Sequence, residues 1–231
     1  MSKNIEIEKK YLVINGVNSI GGNLILSDPT KDYFKDENYL GKIFISQGYL
    51  KPKDLSNVNL SDKDIPIELL TGKEGTIRFR KENDLNILTF KGERVNGANS
   101  EYEFQIEEDL SNKLNKVLTK TRYKITKDQF ICEIDVFHGD LYGLVLAEIE
   151  IDNIDRVIEV PDTWIDVTNN KNFLNSNLIK LNELQAVSVI LGSATPKIEQ
   201  WYAFTNGGIF QGRDQLRIAA RIKTGKRFII R

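Results

Sequence analysis

The chain has 231 residues, of which 40% are hydrophobic and 28% are charged, so we expect a globular protein with one large domain or one domain and an appendage. Its 32 basic and 33 acidic residues give a net charge of −1. That balance excludes the broad positive field with which proteins bind extended duplex nucleic acid. Cys132 is the single cysteine, which excludes an intramolecular disulfide and a multi-cysteine zinc site.

The first residues of the chain lack the apolar stretch of a secretory signal peptide. The longest apolar runs, at residues 144–147 and 186–191, are far shorter than the ~20 residues that a membrane-spanning helix needs. We therefore expect a cytoplasmic protein without a membrane partner.

The first predicted strand, residues 5–11, alternates charged and apolar residues. Side chains of a strand point alternately to its two faces, so Glu6, Glu8 and Lys10 share one face. Alone, this pattern is also typical of a strand with one face in water.

The same alternation returns in six later segments. Basic faces carry Arg78 and Arg80, then Thr89 and Lys91, then Lys120, Arg122 and Lys124. Acidic faces carry Glu101, Glu103 and Gln105, then Glu133 and Asp135, then Glu148 and Glu150. A further strand is predicted at residues 43–50, so the fold class is mainly β, with strands that are mostly antiparallel.

Two arrangements fit these strands: an open sheet with a solvated face, or a barrel whose charged faces line its interior. The barrel is favoured because the charged faces are almost purely ionic and are sorted by sign. Such an interior would offer carboxylates to hard cations, and lysine and arginine to phosphate oxygens. The pattern therefore predicts a site for a metal–polyphosphate.

Two polar stretches, between the first strand and residue 43 and at residues 51–74, read as loops, with short helices in places. Helices are predicted at residues 108–120 and from 172 to about 186, because leucines recur there at helical spacing. We expect these helices to cover the outside of the barrel.

Taken in chain order, these segments resemble the CYTH family, also called the triphosphate tunnel metalloenzymes. The resemblance covers nearly all of residues 4–180 and lies in Glu6-x-Glu8-x-Lys10 and in residues 45–50, 76–80, 88–92, 121–123, 133–139, 143–150 and 173–178. Residues 143–151 look most similar to the small prokaryotic inorganic triphosphatases. The resemblance implies an eight-stranded antiparallel tunnel with a few helices outside, which binds a triphosphate together with Mg²⁺ or Mn²⁺.

The resemblance also implies roles for individual residues. The implied metal ligands are Glu6, Glu8, Glu148 and Glu150. The implied phosphate-binding residues are Lys10, Arg78, Arg80, Lys91, Lys120 and Arg122. Further catalytic candidates, besides Lys10, are Glu101, Glu103, Glu133 and Asp135. Gln105 stands where many relatives have a third glutamate on that strand, which leaves the roles of its neighbours open.

Residues 1–184 form the predicted tunnel domain, and residues 185–231 a C-terminal appendage. Residues 198–203 echo residues 45–50, and Leu216-Arg217-Ile218 echoes Ile77-Arg78-Phe79. The appendage is thus interpreted as a partial second module without catalytic activity, whose strands could pair across a homodimer.

The predicted function is metal-dependent hydrolysis of inorganic triphosphate or of the triphosphate end of a nucleotide. A class IV adenylyl cyclase would share the same tunnel. A non-catalytic sensor of polyphosphate or of a nucleotide is an alternative from another class, as is a structural barrel without a ligand.

Overall fold

A computed structural model describes residues 4–13, 17–20, 23–26, 38–92, 98–127, 129–141, 144–153, 155–161, 164–182 and 185. For residues 4–6, 17–20, 23–26, 98, 99 and 127 the description is limited to the backbone. The strands are β1 (Asn4–Val13), β2 (Val17–Ile20), β3 (Asn23–Leu26), β4 (Tyr39–Leu50), β5 (Thr76–Glu82), β6 (Leu85–Lys91), β7 (Ala98–Ile106), β8 (Leu118–Lys127), β9 (Phe130–Phe137), β10 (Val145–Glu150) and β11 (Trp164–Asp166).

Eight of these strands form a continuous antiparallel ring. The order of pairing is β10–β9–β8–β4–β5–β6–β7–β1, and β1 also pairs with β10, which joins the two ends. The first residues of β1 pair with β7, and its later residues pair with β10. The predicted eight-stranded antiparallel barrel is therefore confirmed, with β11 added beside β1.

The predicted alternation sets the two faces of the barrel wall. Residues directly opposite each other in an antiparallel pair project to the same side. Arg80 lies opposite Gln47 on one side and Ile87 on the other, and these three residues face the interior. Phe79 and Leu88 also lie opposite each other, and they face outward into a buried apolar cluster.

Three apolar clusters cover the two sides of the wall. Outside β4 to β7, Phe79 and Phe90 pack under Leu55, Ile65 and Leu69 of the segment that follows β4. Outside β1, β8, β9 and β10, the residues that pack together are Tyr11, Tyr123, Ile134, Ala147, Ile149 and Trp164. A third cluster joins interior residues of the barrel with the segment after β11, and its members include Leu12, Leu118, Phe137, Leu146, Phe173 and Leu178. Apolar packing therefore encloses the charged interior from outside and at one end.

The segment between β4 and β5 contains two short helical stretches, as predicted. A 3-10 helix spans Pro52–Leu55 and a four-residue α-helix, α1, spans Ile67–Leu70. Gly75 then returns the chain to β5 with a φ of +72°, and a Cβ there would lie 2.0 Å from the carbonyl oxygen of Lys91. Only glycine fits this left-handed close approach.

The helix predicted at residues 108–120 is wrong. The structure has a 3-10 helix at Ser111–Lys113, and Leu118 already belongs to β8. The spacing of the leucines is misleading because they face different parts of the protein. Leu110 packs in the outer cluster under β4 to β7, whereas Leu118 packs in the inner cluster. Tertiary contacts thus override a local helical pattern.

The helix predicted from residue 172 to about 186 is shorter than expected. A 3-10 helix spans Lys171–Phe173, and α2 spans Asn175–Leu178. Asn170 accepts a hydrogen bond from the backbone N–H of Asn172, a local contact that favours a turn over a long helix. The remainder of the predicted helix beyond residue 182 lies outside the described residues, apart from Gln185.

Other expectations fall partly or wholly outside the described chain. The polar stretch after β1 contains the hairpin of β2 and β3, and β4 begins at Tyr39 rather than at residue 43. The appendage at residues 185–231 lies outside the described residues, apart from Gln185. In the part of the chain that is described, no helix has the length and apolarity needed to cross a membrane.

Truncation of Phe79 tests the outer core independently of the charged interior. Phe79 is 0% exposed and lies between Arg78 and Arg80 on the strand. We expect Phe79→Ala to lower the free energy of unfolding by about 3–5 kcal/mol, because it removes a buried ring and leaves a cavity. Urea denaturation measures this, with Val157→Ala, at a side chain that is 87% exposed, as the control. Equal stability of the two variants would contradict the assigned packing.

Candidate functional site

The barrel encloses a cavity of about 1030 Å³ lined mainly by charged side chains. Its basic lining residues are Lys10, Arg78, Arg80, Lys91, Arg122, Lys124 and Lys171. Its acidic lining residues are Glu8, Glu82, Glu101, Glu103, Glu133, Glu148 and Glu150. Seven charges of each sign therefore meet around one space, drawn from strands far apart in sequence.

The wall formed by β1 and β10 places Lys10 among carboxylates. Lys10 lies opposite Glu148 in the pairing of the two strands, and Glu8 lies opposite Glu150. The Nζ of Lys10 is 2.8 Å from a Glu148 oxygen and 3.5 Å from a Glu8 oxygen. Burial by itself lowers the pKa of Lys10, but the charges of Glu148 and Glu8 outweigh it and raise the pKa above its ordinary value.

The wall formed by β8 and β9 is organised by Asp135, which is 0% exposed. Arg122 donates to both oxygens of this carboxylate, at 2.7 and 2.8 Å, and also to Glu148 at 2.8 Å. Lys120 donates to the same carboxylate from the neighbouring position. Asp135 therefore fixes two cationic side chains by charge-assisted hydrogen bonds.

Lys120 and Glu148 have shifted pKa values for different reasons. Burial, followed by the nearby charge of Arg122, lowers the pKa of Lys120 to about 8. Burial by itself raises the pKa of Glu148, but Lys10, Lys120 and Arg122 outweigh it and hold this pKa well below its ordinary range. Glu148 is thus a fixed negative charge, while the pKa of Lys120 lies at about 8.

The third wall, formed by β5, β6 and β7, pairs arginines with glutamates. The Nη2 of Arg78 lies 3.2 Å from both Glu101 and Glu103. The Nη2 of Arg80 lies 3.0 Å from Glu103. Lys91 lies 2.8 Å from Glu101. Each of these three cations therefore has a carboxylate partner on β7.

The structure brings nearly all the predicted site residues to this cavity. Those that line it are Glu8, Lys10, Arg78, Arg80, Lys91, Glu101, Glu103, Arg122, Glu133, Glu148 and Glu150. Lys120 and Asp135 are fully buried within the wall. Glu6 lies on the same face of β1, opposite Asn99, but its side chain is outside the description.

Sequence reasoning missed several residues of the site. Lys124 shares a basic face with Lys120 and Arg122 but is not among the predicted site residues, yet it lines the cavity and lies 2.9 Å from Glu133. Tyr49 also lines the cavity, and burial raises its pKa. Gln47 faces the interior two residues before Tyr49. The sequence signal for Gln47 and Tyr49 was their spacing of two residues on β4, which places both on one face of that strand. Neither side chain is charged, so a pattern of charged faces does not reveal them.

Carboxylates of this cavity have the chemistry to bind a hard cation. Among the side chains that the structure describes, no three His, Cys, Asp or Glu groups are arranged to hold a metal ion by themselves. Mg²⁺ is usually held by one or two carboxylates, several waters and substrate phosphates, so a complete protein cage is not required. The opposed pair Glu8 and Glu150 fits that mode.

The arrangement can exchange partners. An anion with several oxygens can replace the carboxylates that pair with arginine and lysine. A cation can then bind the carboxylates that the anion has displaced. Both exchanges together keep the cavity near neutrality, whereas either alone leaves buried charge uncompensated. The cavity is therefore suited to an anionic group bound together with a divalent cation.

Comparison with known proteins agrees with this chemistry. No family model matches the chain. Its sequence is 38% identical over 116 residues to an inorganic triphosphatase of Acetivibrio thermocellus, a match covering 47% of this chain and 74% of the relative. The identity and the share of the relative that is covered assign both chains to one family.

Two solved structures have similar chains. One is a crystal structure of an inorganic triphosphatase, at 24% identity and a TM-score of 0.43, covering 75% of this chain and 93% of that chain. The other, from Hippeastrum, is a candidate adenylyl cyclase with a dominant triphosphatase activity, at 14% identity and a TM-score of 0.37, covering 64% of this chain and 80% of that chain. The assignment follows from the sequence match to the A. thermocellus enzyme and from the motifs in chain order: this chain belongs to the CYTH family of triphosphate tunnel metalloenzymes.

Proposed function

We propose that the protein hydrolyses a triphosphate, either inorganic triphosphate or the triphosphate end of a nucleotide, inside the barrel. The observation that carries this proposal is the cavity itself, in which basic side chains and carboxylates of the three walls surround a space of about 1030 Å³. The family relationship to an inorganic triphosphatase supports the same chemistry. Hydrolysis here is transfer of a phosphoryl group to water.

The proposed phosphate-binding residues are the cations of the interior: Lys10, Arg78, Arg80, Lys91, Lys120 and Arg122. Arginine suits this role because its planar group donates two parallel hydrogen bonds to phosphate oxygens. As substrate displaces glutamates from these side chains, charge developing on the transferred group meets donors that are already in place.

A divalent metal, Mg²⁺ or Mn²⁺, is proposed to be held by Glu6, Glu8, Glu148 and Glu150. When bound, the ion would neutralise phosphate charge and polarise a phosphoryl oxygen. Among the described ligands, Glu148 is the most firmly engaged, because it lies 2.8 Å from both Lys10 and Arg122. The carboxylates on β1 and β10 hold Lys10 in place on the same wall.

The remaining acidic residues are proposed to act in two ways. Asp135 is a positioning residue, because it is fully buried and contacts Lys120 and Arg122 rather than the cavity. Glu101, Glu103 and Glu133 line the cavity and hold cations. Once released by substrate, one of these three would accept a hydrogen bond from the attacking water and orient it.

The activity is assigned to residues 1–184 of a cytoplasmic enzyme, and residues 185–231 are proposed to add no catalytic group. This division is supported by the order of the motifs, since the segments that resemble the family end at residue 178. Pairing of the appendage across a homodimer stays a prediction.

Replacement of Glu8 tests the metal role. Glu8→Gln keeps the size of the side chain but removes its charge, so we expect phosphate release from inorganic triphosphate to fall by at least about 100-fold. Release is measured with Mg²⁺ and with Mn²⁺, beside Glu6→Ala, for which we expect a similar loss. Glu68→Gln, at an exposed carboxylate of α1, is the control. Full activity of Glu8→Gln would refute the role of this carboxylate, and formation of cyclic AMP from ATP would favour a cyclase.

The pKa of Lys120 predicts a pH dependence of binding. Its pKa is about 8, so the ammonium is present below this pH and is lost above it. Binding of metal-free inorganic triphosphate should therefore weaken as pH rises from 7 to 9.5, by up to about tenfold per unit above 8. Calorimetric titration measures the Kd, and Lys120→Met is expected to remove this step. An unchanged pH profile in Lys120→Met would assign the step to another group.

Removal of the Asp135 charge tests the positioning role. Asp135→Asn leaves Lys120 and Arg122 buried without their carboxylate, and we expect a loss of about 3–5 kcal/mol in the free energy of unfolding. Asp109→Asn is a matched control, because Asp109 pairs with Lys81 at the surface, where an ion pair contributes about 0–1 kcal/mol. Similar stability of the two variants would contradict the role of Asp135, as measured by urea denaturation.

A further inference from the structure

We infer that Gln47 is a further anion-binding residue of the tunnel, whose side-chain amide donates a hydrogen bond to a substrate oxygen held beside Arg78 and Arg80. The inference rests on the proposed function, because the anion is taken to be part of a triphosphate. Gln47 belongs to β4, which had no predicted site residue.

Gln47 is buried in a polar part of the barrel wall. It is 0% exposed and lies opposite Arg80 of β5 on one side and Leu118 of β8 on the other. Two residues along the strand, Tyr49 lies opposite Arg78. Tyr49, Arg78 and Arg80 all line the cavity, and Gln47 lies within the wall opposite Arg80.

The side-chain amide of Gln47 makes no hydrogen bond in the described chain, through either its nitrogen or its oxygen. Neither its Nε2 nor its Oε1 has a hydrogen-bond partner among the residues that the structure describes. A buried polar group without a partner costs about 1–3 kcal/mol. An apolar side chain of similar length would avoid that cost, so the amide requires an explanation beyond packing.

The neighbouring arginines, Arg78 and Arg80, also have a buried side-chain nitrogen that makes no hydrogen bond in the described chain. Their Nη2 atoms donate to Glu101 and Glu103, but the buried Nε of Arg78 has no hydrogen-bond partner in the described chain. The Nε of Arg80 also makes no hydrogen bond there, and it has a 3.1 Å ion-pair contact with Glu82. Two N–H donors on β5 that make no hydrogen bond in the described chain therefore accompany the amide of Gln47.

This set of groups selects an anionic oxygen. Three nitrogen atoms of this set, Nε2 of Gln47 and the Nε of Arg78 and of Arg80, make no hydrogen bond in the described chain, against one such oxygen, Oε1 of Gln47. A phosphate oxygen accepts several N–H donors at once, which a neutral ligand with one lone pair in reach cannot do. Oxygens of a triphosphate are therefore the fitting partners for these donors.

An amide also suits this position better than a third cation. Burial, followed by the charge of Arg78, already lowers the pKa of Arg80, so another positive charge here would add repulsion and desolvation. An amide adds a donor without adding charge. The amide of Gln47 therefore adds a hydrogen bond to the anion without changing the net charge of this wall.

The test compares Gln47→Met with the wild type and with Ser46→Ala. Methionine keeps the length of the side chain and removes only unpaired polar atoms, so we expect an unchanged or higher Tm. Because hydrogen bonds to charged groups are the stronger ones, the Kd of inorganic triphosphate should weaken about 10- to 100-fold. Ser46 neighbours Gln47 but faces the other side of β4, and Ser46→Ala should bind like the wild type.

A second variant gives an independent result. Gln47→Glu places a carboxylate beside Arg78 and Arg80, where it repels phosphate oxygens, so triphosphate binding should weaken more than in Gln47→Met. If Gln47→Met does not fold, the same comparison is made with Gln47→Glu. Binding within twofold of the wild type in the variant tested would overturn the inference.

Turnover measured in the same samples separates this inference from the proposed function. Hydrolysis of triphosphate by the wild type, with unchanged Kd and KM in Gln47→Met, would refute the inference alone. Triphosphate binding that depends on Gln47, in a wild type that releases no phosphate, would support the inference and refute hydrolysis.

Discussion

The mutual neutralisation of charges inside a closed barrel is the constraint on which this structure depends. Closing eight strands places every second side chain in the interior, where a buried charge without a partner costs several kcal/mol. Lys10 with Glu148, Arg122 with Asp135 and Arg78 with Glu101 satisfy that requirement in pairs. The pairs hold cations in fixed positions, and they also make each cation available to a stronger anion.

The pairs differ in how firmly they are held. Asp135 is fully buried and has both oxygens engaged by Arg122, so its release would leave charge without compensation. Glu101 and Glu103 line the cavity, where a ligand can replace them. This difference divides the acidic residues into those that position cations and those that substrate can displace. A hydrolase needs both, because its donors must be in place before the phosphoryl group is transferred.

Strand alternation identified most of the fold and of the site, and the reason is physical. A period of two requires no knowledge of long-range contacts, because it follows from the backbone of each strand. The prediction failed where the residues had to be interpreted by local spacing alone. Leu110 and Leu118 resembled one helical stripe but pack in different clusters. Tyr49 was missed as a cavity-lining residue because it adds no charge to the pattern.

The sequence by itself determined which faces of the strands are ionic, the order of the motifs and the chemistry that the interior offers. These properties depend on residue type and on local geometry, which are present in the chain. Only the tertiary structure decided which carboxylate meets which cation, which residues line the cavity and which lie within its wall. Those outcomes depend on strand register, since Glu8 opposes Glu150 and Lys10 opposes Glu148. Register is fixed by packing of the whole barrel, and a shift of one residue would exchange the interior and exterior faces of a strand.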